Sequence, residues 1–310
     1  MKINWRKVWN IIIGKQEKKA ETGPEKVKSF LLTLLWALTV VTIINGLLIA
    51  SFTVPTSSME NTVMAGDFLF VNKFKYGPST PQVIPLFNIP LTYYKFPGPY
   101  DPERGDVIVF VYPGNMQELE SPEFTYFLKR CVAVAGDTLE VRSNDLYVNG
   151  NKQDFPDEGM KSEENKGVAF FPDGRWEMGN YGPIVIPKEG DIIELNSFNY
   201  RNWDIFIQRE GHDVQVTTSG LVIDGQPATT YTVERDYCWA MGDNRDNSSD
   251  SRSWGFVPYE NVVGSPLMIY WSWPSNEASS VHDNFEERQH YTLWEKLQNV
   301  RWERIFGTIE

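Results

Sequence analysis

The chain has 310 residues and a formal net charge of −12, and 14% of its residues are aromatic. This length is enough for one large domain or two ordinary domains with a sizeable core. The acidic balance, with no Lys/Arg-rich run in the part after residue 28, argues against a nucleic-acid partner because phosphate binding needs a concentrated basic patch.

The first predicted element is a membrane span over residues 29–52, SFLLTLLWALTVVTIINGLLIASF, which contain no charged side chain. As a helix they would extend about 36 Å, enough to cross a hydrocarbon core of roughly 30 Å. A cleavable secretory signal has a shorter apolar core and a shorter leader. We therefore predict an uncleaved anchor, with a cleaved signal or a buried soluble helix as the alternatives.

Flanking charge predicts the orientation of this span by the positive-inside rule. Acidic Glu60 and Asp67 follow the span before any lysine. Eight basic residues precede it: Lys2, Arg6, Lys7, Lys15, Lys18, Lys19, Lys26 and Lys28. Residues 1–28 are therefore predicted to be cytoplasmic, and the remainder of the chain is predicted to lie on the opposite side of the membrane.

After the span, short runs rich in Val, Ile, Phe and Tyr alternate with Gly-Asp, Asn-Gly and Asp-Gly turns, a pattern typical of β-hairpins. We predict a mainly β domain of antiparallel sheets over residues 53–275. Its core is expected in residues 53–77, 104–138 and 237–275, with an insertion lobe over about 139–236. Residues 276–310 are predicted to form a helical tail, and the roles of residues 78–102 and 151–178 stay open.

Two adjacent serines, Ser57 and Ser58 in VPTSSM, follow the span and are candidate nucleophiles. The three histidines lie in polar or charged segments, which favours solvated surface positions over a catalytic base: His212, His282 and His290.

A lysine can act as the base if burial keeps its amine neutral. In the run YFLKRCVAVAG, strand periodicity places Lys129 on one face with Phe127, Cys131 and Ala133. This run alone also fits a lysine at an exposed strand edge.

The cysteines and the acidic run are the remaining unusual features. Cys131 and Cys238 have neither CxxC spacing nor a nearby histidine, which argues against a metal site, and whether they form a disulfide stays open. The run CWAMGDNRDNSSDSRSWGFVP, residues 238–258, combines carboxylates, arginines and serines. By composition it fits either a solvated loop or a buried ion-pair network.

Taken in this order, PTSSM, GDFLFVNKFKYG, RGDVIVF, YFLKRCVAVAGD and MGDNRDNSSDSRSWGFVP resemble bacterial type I signal peptidases. These are membrane-anchored Ser-Lys proteases that remove signal peptides from exported proteins. The resemblance implies a mainly β, antiparallel-sheet ectodomain with an N-terminal transmembrane helix in the bacterial cytoplasmic membrane. It implies preprotein substrates cleaved after small residues in an A-x-A-like pattern, contact with membrane lipid, and no metal or other cofactor. The oligomeric state stays open.

The resemblance also implies roles for individual residues. Ser58 would be the nucleophile, Lys129 the general base, and the Thr56 hydroxyl with the Ser58 N–H the oxyanion donors. Ser248 would orient the lysine, and Asp250 with Arg252 would form an ion pair that braces the site. Substrate contacts would come from residues near the nucleophile and just before the lysine: Phe52, Val54, Met59, Val63, Phe127 and Leu128.

Departures from the family pattern and competing functions limit this interpretation. Ser57 stands where many relatives have glycine, and Asn61 stands where proline is common.

Asn61 also occupies the third position after Ser58, which excludes the S-x-x-K motif of β-lactamases there. A self-cleaving repressor-type Ser-Lys protease would lack the span. A catalytically inactive, membrane-tethered binding module of the same fold remains the alternative.

Overall fold

The structure is a computed structural model that describes residues 23–80, 83–84, 89–90, 92, 94–115, 118–119, 125–163, 165–196, 199–217, 220–275 and 291–309. Several predictions fall outside these residues. They concern the first 22 residues of the predicted cytoplasmic segment with their six basic side chains, and residues 276–290 of the predicted tail with His282 and His290.

The helices of the described chain are one long and three short α-helices: Gly23–Leu47 (α1), Tyr200–Arg209 (α2), Ser251–Trp254 (α3) and Leu293–Gln298 (α4). Two single 3₁₀ turns cover Tyr259–Asn261 and Trp302–Arg304.

The strands of the described chain fall into three groups along the sequence. The first group is Ile49–Thr53 (β1), Asp67–Asn72 (β2), Val83–Ile84 (β3), Ile89–Pro90 (β4), Val107–Val111 (β5) and Tyr126–Ala133 (β6). The second is Thr138–Arg142 (β7), Asp145–Val148 (β8), Asn151–Lys152 (β9), Val168–Ala169 (β10), Trp176–Glu177 (β11), Tyr181–Val185 (β12), Ile192–Glu194 (β13), Val214–Thr217 (β14), Gly220–Ile223 (β15), Gln226–Ala228 (β16) and Thr230–Thr232 (β17). The third is Tyr237–Met241 (β18), Val257–Pro258 (β19) and Val262–Ser272 (β20).

A seven-stranded sheet of order β1-β2-β20-β5-β6-β18-β19 dominates the described part of the chain, and every neighbouring pair in it is antiparallel. Smaller sheets of two to four strands come mainly from the second group of strands. The mainly β, antiparallel fold class is therefore confirmed. The large sheet brings together strands from both ends of the predicted β domain, because β18 and β20 pair with β6 and β5.

Helix α1 corrects the predicted bounds of the span. It begins at Gly23 instead of Ser29 and ends at Leu47 instead of Phe52. The last predicted residues leave the helix because Ile49–Thr53 pairs with β2, from Ile49 opposite Asn72 to Thr53 opposite Phe68. Within α1, Lys26–Leu47 is long and apolar enough to cross a membrane, with a mean hydropathy of 2.1. A single residue, Leu48, thus separates the helix from the sheet.

The insertion lobe shares a core with the large sheet. Trp239 on β18 and Phe256 before β19 pack in one buried cluster with Leu139 on β7, Ile207 on α2 and Tyr231 on β17. Each large apolar side chain buried in this way contributes about 1.5–3 kcal/mol to folding. The lobe over residues 139–236 therefore does not have a hydrophobic core of its own. Cys131 and Cys238 lie in a second buried cluster as free thiols.

A third buried cluster supports the loop that joins β1 to β2. The loop residues Val54, Met59 and Val63 pack with Leu69 on β2 and Val109 on β5. Met59 and Val63 follow Ser58, the predicted nucleophile, in the sequence. Their packing in this cluster therefore holds that part of the loop against the sheet.

Candidate active site

Ser58 lies in the β1–β2 loop, whose two ends are joined by backbone hydrogen bonds. The N–H of Val54 donates to the carbonyl of Asp67 at 2.9 Å, and the N–H of Gly66 donates to the carbonyl of Val54 at 2.8 Å. Inside the loop, the Val63 N–H donates to the Met59 carbonyl at 2.7 Å. The Ser58 side chain is consequently held on a closed, anchored loop and is only 9% exposed.

Lys129 reaches Ser58 from the middle of β6, which is paired with β5 on one side and partly with β18 on the other. Its Nζ lies 2.6 Å from Ser58 Oγ and 3.0 Å from the carbonyl oxygen of Leu128. The residue is 4% exposed, which rules out the exposed strand edge considered from sequence. The serine and lysine predicted as a pair are therefore within hydrogen-bond distance.

Burial makes the Lys129 amine weakly basic. Desolvation lowers the pKa of Lys129 to about 8, and the carboxylates of Asp250 and Asp243 oppose that shift. A pKa in this range leaves a useful fraction of the amine neutral near neutral pH, which a general base requires.

Thr56 and the Ser58 backbone lie where oxyanion donors are predicted. Thr56 Oγ1 is 3.4 Å from Ser58 Oγ, and the Thr56 side chain is exposed. Within the described ranges, the Ser58 N–H has no hydrogen-bond acceptor, whereas the Ser58 carbonyl accepts from the Asn244 N–H at 3.1 Å. The two donor groups are thus adjacent to the predicted nucleophile, and their catalytic role stays a prediction.

Ser57 is bound to the acidic run instead of to the lysine. Its Oγ accepts from Asn247 Nδ2 at 3.0 Å, and its carbonyl accepts from Asn244 Nδ2 at 3.2 Å. The two adjacent serines therefore have different partners, and only the Ser58 hydroxyl contacts Lys129.

The acidic run contains a buried ion pair, which rules out the solvated-loop alternative. Arg252 Nε and Nη2 donate to the two carboxylate oxygens of Asp250 at 2.9 and 2.8 Å, and both side chains are buried. Asp250 also caps α3 by accepting from the Arg252 N–H, and it accepts from the Gly242 N–H at 3.2 Å. Burial tends to raise the pKa of Asp250, but the Arg252 charge and these hydrogen bonds outweigh it and leave that pKa below its usual value.

A second ion pair, between a buried Asp243 and a partly buried Arg130, was missed from the sequence. Arg130 Nε and Nη2 donate to the carboxylate of Asp243 at 2.9 and 2.8 Å, and Thr62 Oγ1 donates to the same carboxylate at 2.7 Å. Asp243 is thereby linked both to the residue after the lysine and to the loop that carries Ser58. The only sequence signal was the Asp/Arg alternation, which does not reveal partners that are 113 positions apart.

Gly242 of the acidic run was also missed, although it packs closely against the Ser58 loop. A Cβ at this position would lie 2.2 Å from Ser248 Oγ and 2.5 Å from the Ser58 carbonyl oxygen. Only glycine therefore permits this approach between the acidic run and the Ser58 loop. Ser248 is brought beside Ser58 in this way, but its buried hydroxyl has no hydrogen-bond partner among the described residues, so its lysine-orienting role stays a prediction.

A cavity of about 320 Å³ opens at Ser58 and Lys129, with mostly apolar walls. Five of the six predicted substrate contacts line it: Phe52, Val54, Met59, Phe127 and Leu128. Val63 is fully buried in the third cluster beneath the loop and does not line this cavity. Its position supports the loop instead. The described residues contain no group of three or more His, Cys, Asp or Glu side chains that could hold a metal ion.

The comparison with protein families agrees with this geometry. The family model described as "Signal peptidase, peptidase S26" matches residues 27–271, about four-fifths of the chain. The chain belongs to the signal peptidase family. The resemblance inferred from the five sequence runs is thereby confirmed.

Curated signal peptidase I proteins from several bacteria are similar over most of the chain. The protein of Helicobacter pylori strain J99 is 28% identical over 84% of this chain and 85% of its own. That of Aquifex aeolicus is 32% identical over 72% and 75%, and that of Pseudomonas aeruginosa is 30% identical over 78% and 72%. A crystal structure of a signal peptidase I from Enterococcus faecalis V583, 20% identical over 54% of this chain and 97% of its own, superposes with a TM-score of only 0.27.

As a member of this family, the chain is a serine endopeptidase of the kind that cleaves signal peptides. Together with α1, family membership indicates membrane anchoring. An inactive binding module is accordingly not supported.

The C-terminal tail of this family member contacts the Ser58 loop. Arg304 Nη2 donates to a buried carboxylate oxygen of Asp67 at 2.8 Å and to the Thr62 carbonyl at 3.2 Å. Arg301 Nη1 donates to the Ala65 carbonyl at 3.1 Å. The loop is therefore held from the inside by apolar packing and from the outside by two arginines of the tail.

We expect Arg304→Ala to destabilise the protein and to lower its kcat. Asp67 would keep the hydrogen bonds from the Ser272 hydroxyl and the Met64 N–H, and Arg301 Nη1 at 3.7 Å, but would lose its closest cation. The expected loss is therefore below the roughly 3–5 kcal/mol that removing the partner of a buried charge costs. Urea unfolding of the detergent-solubilised protein would measure the loss. Arg175→Ala is the matched control, because Arg175 pairs with Asp173 at the surface and such pairs contribute at most about 1 kcal/mol. Equal losses in the two variants would contradict this role of the tail.

Proposed function

We propose that the chain is a membrane-anchored signal peptidase that uses Ser58 as nucleophile and Lys129 as general base to cleave exported preproteins after small residues. The observation that carries the proposal is the 2.6 Å separation of Lys129 Nζ and Ser58 Oγ, with the amine buried in an apolar wall of an open cavity. A neutral amine at this distance can accept the hydroxyl proton directly.

The reaction is acyl transfer in two stages. Lys129 takes the proton of Ser58 as Oγ attacks the scissile carbonyl carbon, and the carbonyl electrons form an oxyanion. When the oxyanion collapses, the C–N bond breaks and the leaving amine takes the proton from the Lys129 ammonium. An ester joins Ser58 to the signal peptide. Water, deprotonated by Lys129, then attacks this ester and releases Ser58 with its proton restored.

The oxyanion would be stabilised by the Ser58 N–H and the Thr56 hydroxyl, each donor contributing about 3 kcal/mol to the transition state. The support is geometric: the Ser58 N–H has no acceptor within the described part of the chain, and Thr56 Oγ1 is 3.4 Å from Ser58 Oγ. Neither donor must break an existing strong hydrogen bond to serve the oxyanion.

Two ion pairs keep the acidic run against the dyad. Asp250 and Arg252 would brace the segment that carries Ser248, and Ser248 would orient the Lys129 amine when substrate is bound. Arg130 and Asp243 link the lysine strand to the same run. A charge network that is fully satisfied rigidifies its surroundings, which suits a site whose geometry must be kept within a fraction of an ångström.

The preference for small residues follows from the shape of an extended substrate. Alternate side chains of an extended strand point to the same side, so the residues at the first and third positions before the cut would face the apolar cavity. The residue between them would face away from it. The A-x-A-like pattern of secretory signals has small residues at these two positions. Phe52, Val54, Met59, Phe127 and Leu128 would exclude larger ones.

The proposed topology places the N-terminus in the cytoplasm and the catalytic domain on the outer side of a bacterial cytoplasmic membrane. Lys26 and Lys28 in the first turns of α1 support this orientation through the positive-inside rule. Ser58 is 11 positions beyond the end of α1, and β1 follows α1 almost directly. The anchor would therefore hold the active site near the membrane lipid, where signal peptides of preprotein substrates emerge.

The test of this function is cleavage of a model preprotein with sequencing of the new N-terminus. With alanine at the first and third positions before the cut, we expect one product that begins directly after the A-x-A segment. Changing the first-position alanine to phenylalanine should lower kcat/KM by about 100-fold or more, because the larger side chain would press on the walls next to the dyad and move the scissile carbonyl away from Ser58. The same change at the middle position is the control and should have little effect. Equal tolerance at both positions would contradict the proposed substrate pose.

A further inference from the structure

A second cleft adjoins the catalytic cavity, and Ser248 is the one residue of its wall that the proposed mechanism uses. Its volume is about 760 Å³, and it lies between the acidic run and the β10–β11 region of the lobe. Ser249 lines both spaces and is exposed. The rings of Phe127 and Tyr112 stack at 4.5 Å, and Phe127 lines the catalytic cavity while Tyr112 lines the cleft. The two spaces are therefore neighbours that share Ser249.

We infer that this cleft binds the first residues of the mature protein, on the carboxyl-terminal side of the scissile bond. The inference rests on the proposed function. A polypeptide that is cut at Ser58 extends in both directions from its scissile carbonyl. If the residues before the cut occupy the apolar cavity, the residues after it must leave past Ser58 on another path, and the cleft adjoins that cavity at Ser249.

The chemistry of the cleft suits a polar, extended segment better than an apolar signal peptide. Its walls include the amides of Asn115 and Asn165, the hydroxyl of Ser253 and the carboxylate of Asp246, beside the aromatic rings of Tyr112 and Phe170. Aromatic rings with adjacent hydrogen-bonding groups are typical of surfaces that bind peptides with varied side chains. Both spaces have mostly apolar walls, and polar groups make up a larger share of the walls of the cleft than of the catalytic cavity.

Two features of the cleft lack a role in folding. Phe170 follows β10, is 65% exposed, and is not among the ring contacts found in the described residues, so its side chain contributes little to the core. Ser249 in the same wall is also exposed, and its hydroxyl has no hydrogen-bond partner among the described residues. Exposed aromatic side chains beside under-used polar groups are a common sign of a binding surface.

The cleft should matter only for substrates that are long enough to enter it. Two peptides with the same signal residues separate this effect from the chemistry, one ending two residues after the cut and one continuing for six. The intact enzyme should cleave the longer peptide with about tenfold higher kcat/KM, because remote binding energy is used in the transition state.

Phe170→Ser should bring the ratio of the two kcat/KM values close to one without changing the value for the short peptide. Ile192→Ser is the matched control, since Ile192 is also an exposed apolar residue of the lobe but does not line the cleft. It should keep the ratio of the intact enzyme. A ratio of one in the intact enzyme, or an equal loss on both peptides in Phe170→Ser, would overturn the inference while leaving the proposed function in place.

Photo-crosslinking locates the segment independently of turnover. In the Ser58→Ala variant, a photoreactive residue at the third mature position should label residues 165–170 or 253–254, and labelling elsewhere would overturn the inference. The same group at the third position before the cut should label residues 52–56 or 125–128. Absence of that second labelling, together with no cleavage of either peptide by the intact enzyme, would overturn the proposed function and with it the inference.

Discussion

Replacing Ser58 with alanine should reduce preprotein cleavage by at least about 1000-fold, the scale seen when the nucleophile of a serine protease is removed. Ser58 Oγ is the hydroxyl that contacts Lys129 Nζ, at 2.6 Å. Without this hydroxyl no acyl-enzyme forms. The only rate enhancement that remains is the small one from substrate binding and the oxyanion donors. Product formation from a model preprotein, followed over hours at high enzyme concentration, measures the residual rate.

The adjacent serine supplies the control for this experiment. Ser57 Oγ accepts a hydrogen bond from Asn247 and does not contact the lysine, so Ser57→Ala removes a hydroxyl of the same size one position away. We expect Ser57→Ala to retain cleavage within about tenfold of the intact enzyme, because it loses one neutral hydrogen bond worth about 1 kcal/mol. Full activity in Ser58→Ala, or equal loss in both variants, would refute Ser58 as the nucleophile.

Replacing Lys129 with arginine should also abolish cleavage, although it conserves the positive charge. A guanidinium stays protonated in proteins and cannot accept the serine proton. Lys129→Met, which keeps most of the side-chain volume without an amine, should be equally inactive. Activity of either variant above about one-thousandth of the intact enzyme would contradict a lysine base.

The pH profile tests the same residue without mutation. Because burial lowers the pKa of Lys129 to about 8, the neutral, active amine is the minor form below that pH and the major form above it. The kcat/KM should therefore rise by about tenfold per pH unit on the acidic side and level off above pH 8. A profile that is flat between pH 6 and 9 would be incompatible with Lys129 as the base.

Lys73 is the control for the pH experiment. Burial also lowers the pKa of Lys73 to about 8, and this side chain, only 6% exposed at the end of β2, is not a contact of Ser58. Lys73→Met should leave both the rate and the midpoint of the profile unchanged. A displaced midpoint in this variant would assign the titration to Lys73 instead of Lys129.

The fold class and the main sheet were predictable because strand periodicity and turn residues are local signals. Alternation in YFLKRCVAVAG placed Lys129 on the face with Phe127, and both line the catalytic cavity. The end of the membrane helix was not predictable in the same way. Residues 49–52 are as apolar as the helix before them, and they leave it only because β2, about 20 positions later, offers hydrogen-bond partners.

Residues that act through distant partners were the ones that sequence reasoning missed. Asp243 and Arg130 are 113 positions apart, and each alone resembles an ordinary surface charge. Gly242 looks like a turn glycine, yet its lack of a side chain lets the acidic run contact the Ser58 carbonyl. Val63 was assigned to the substrate surface because of its nearness to Ser58 in sequence, and the loop turns it into the core.

The sequence by itself determined that the chain has one apolar anchor candidate, a β-rich domain after it, and a serine, a lysine and an acidic run in the order of the signal peptidase family. These properties depend on periodicity, composition and the spacing of short motifs, all of which are local. Only the tertiary structure decided which serine contacts the lysine, how far the amine is buried and where a second cleft adjoins the cavity at Ser249. Those properties depend on strand pairing and on side chains far apart in the chain that exclude water together, and no local pattern encodes such contacts.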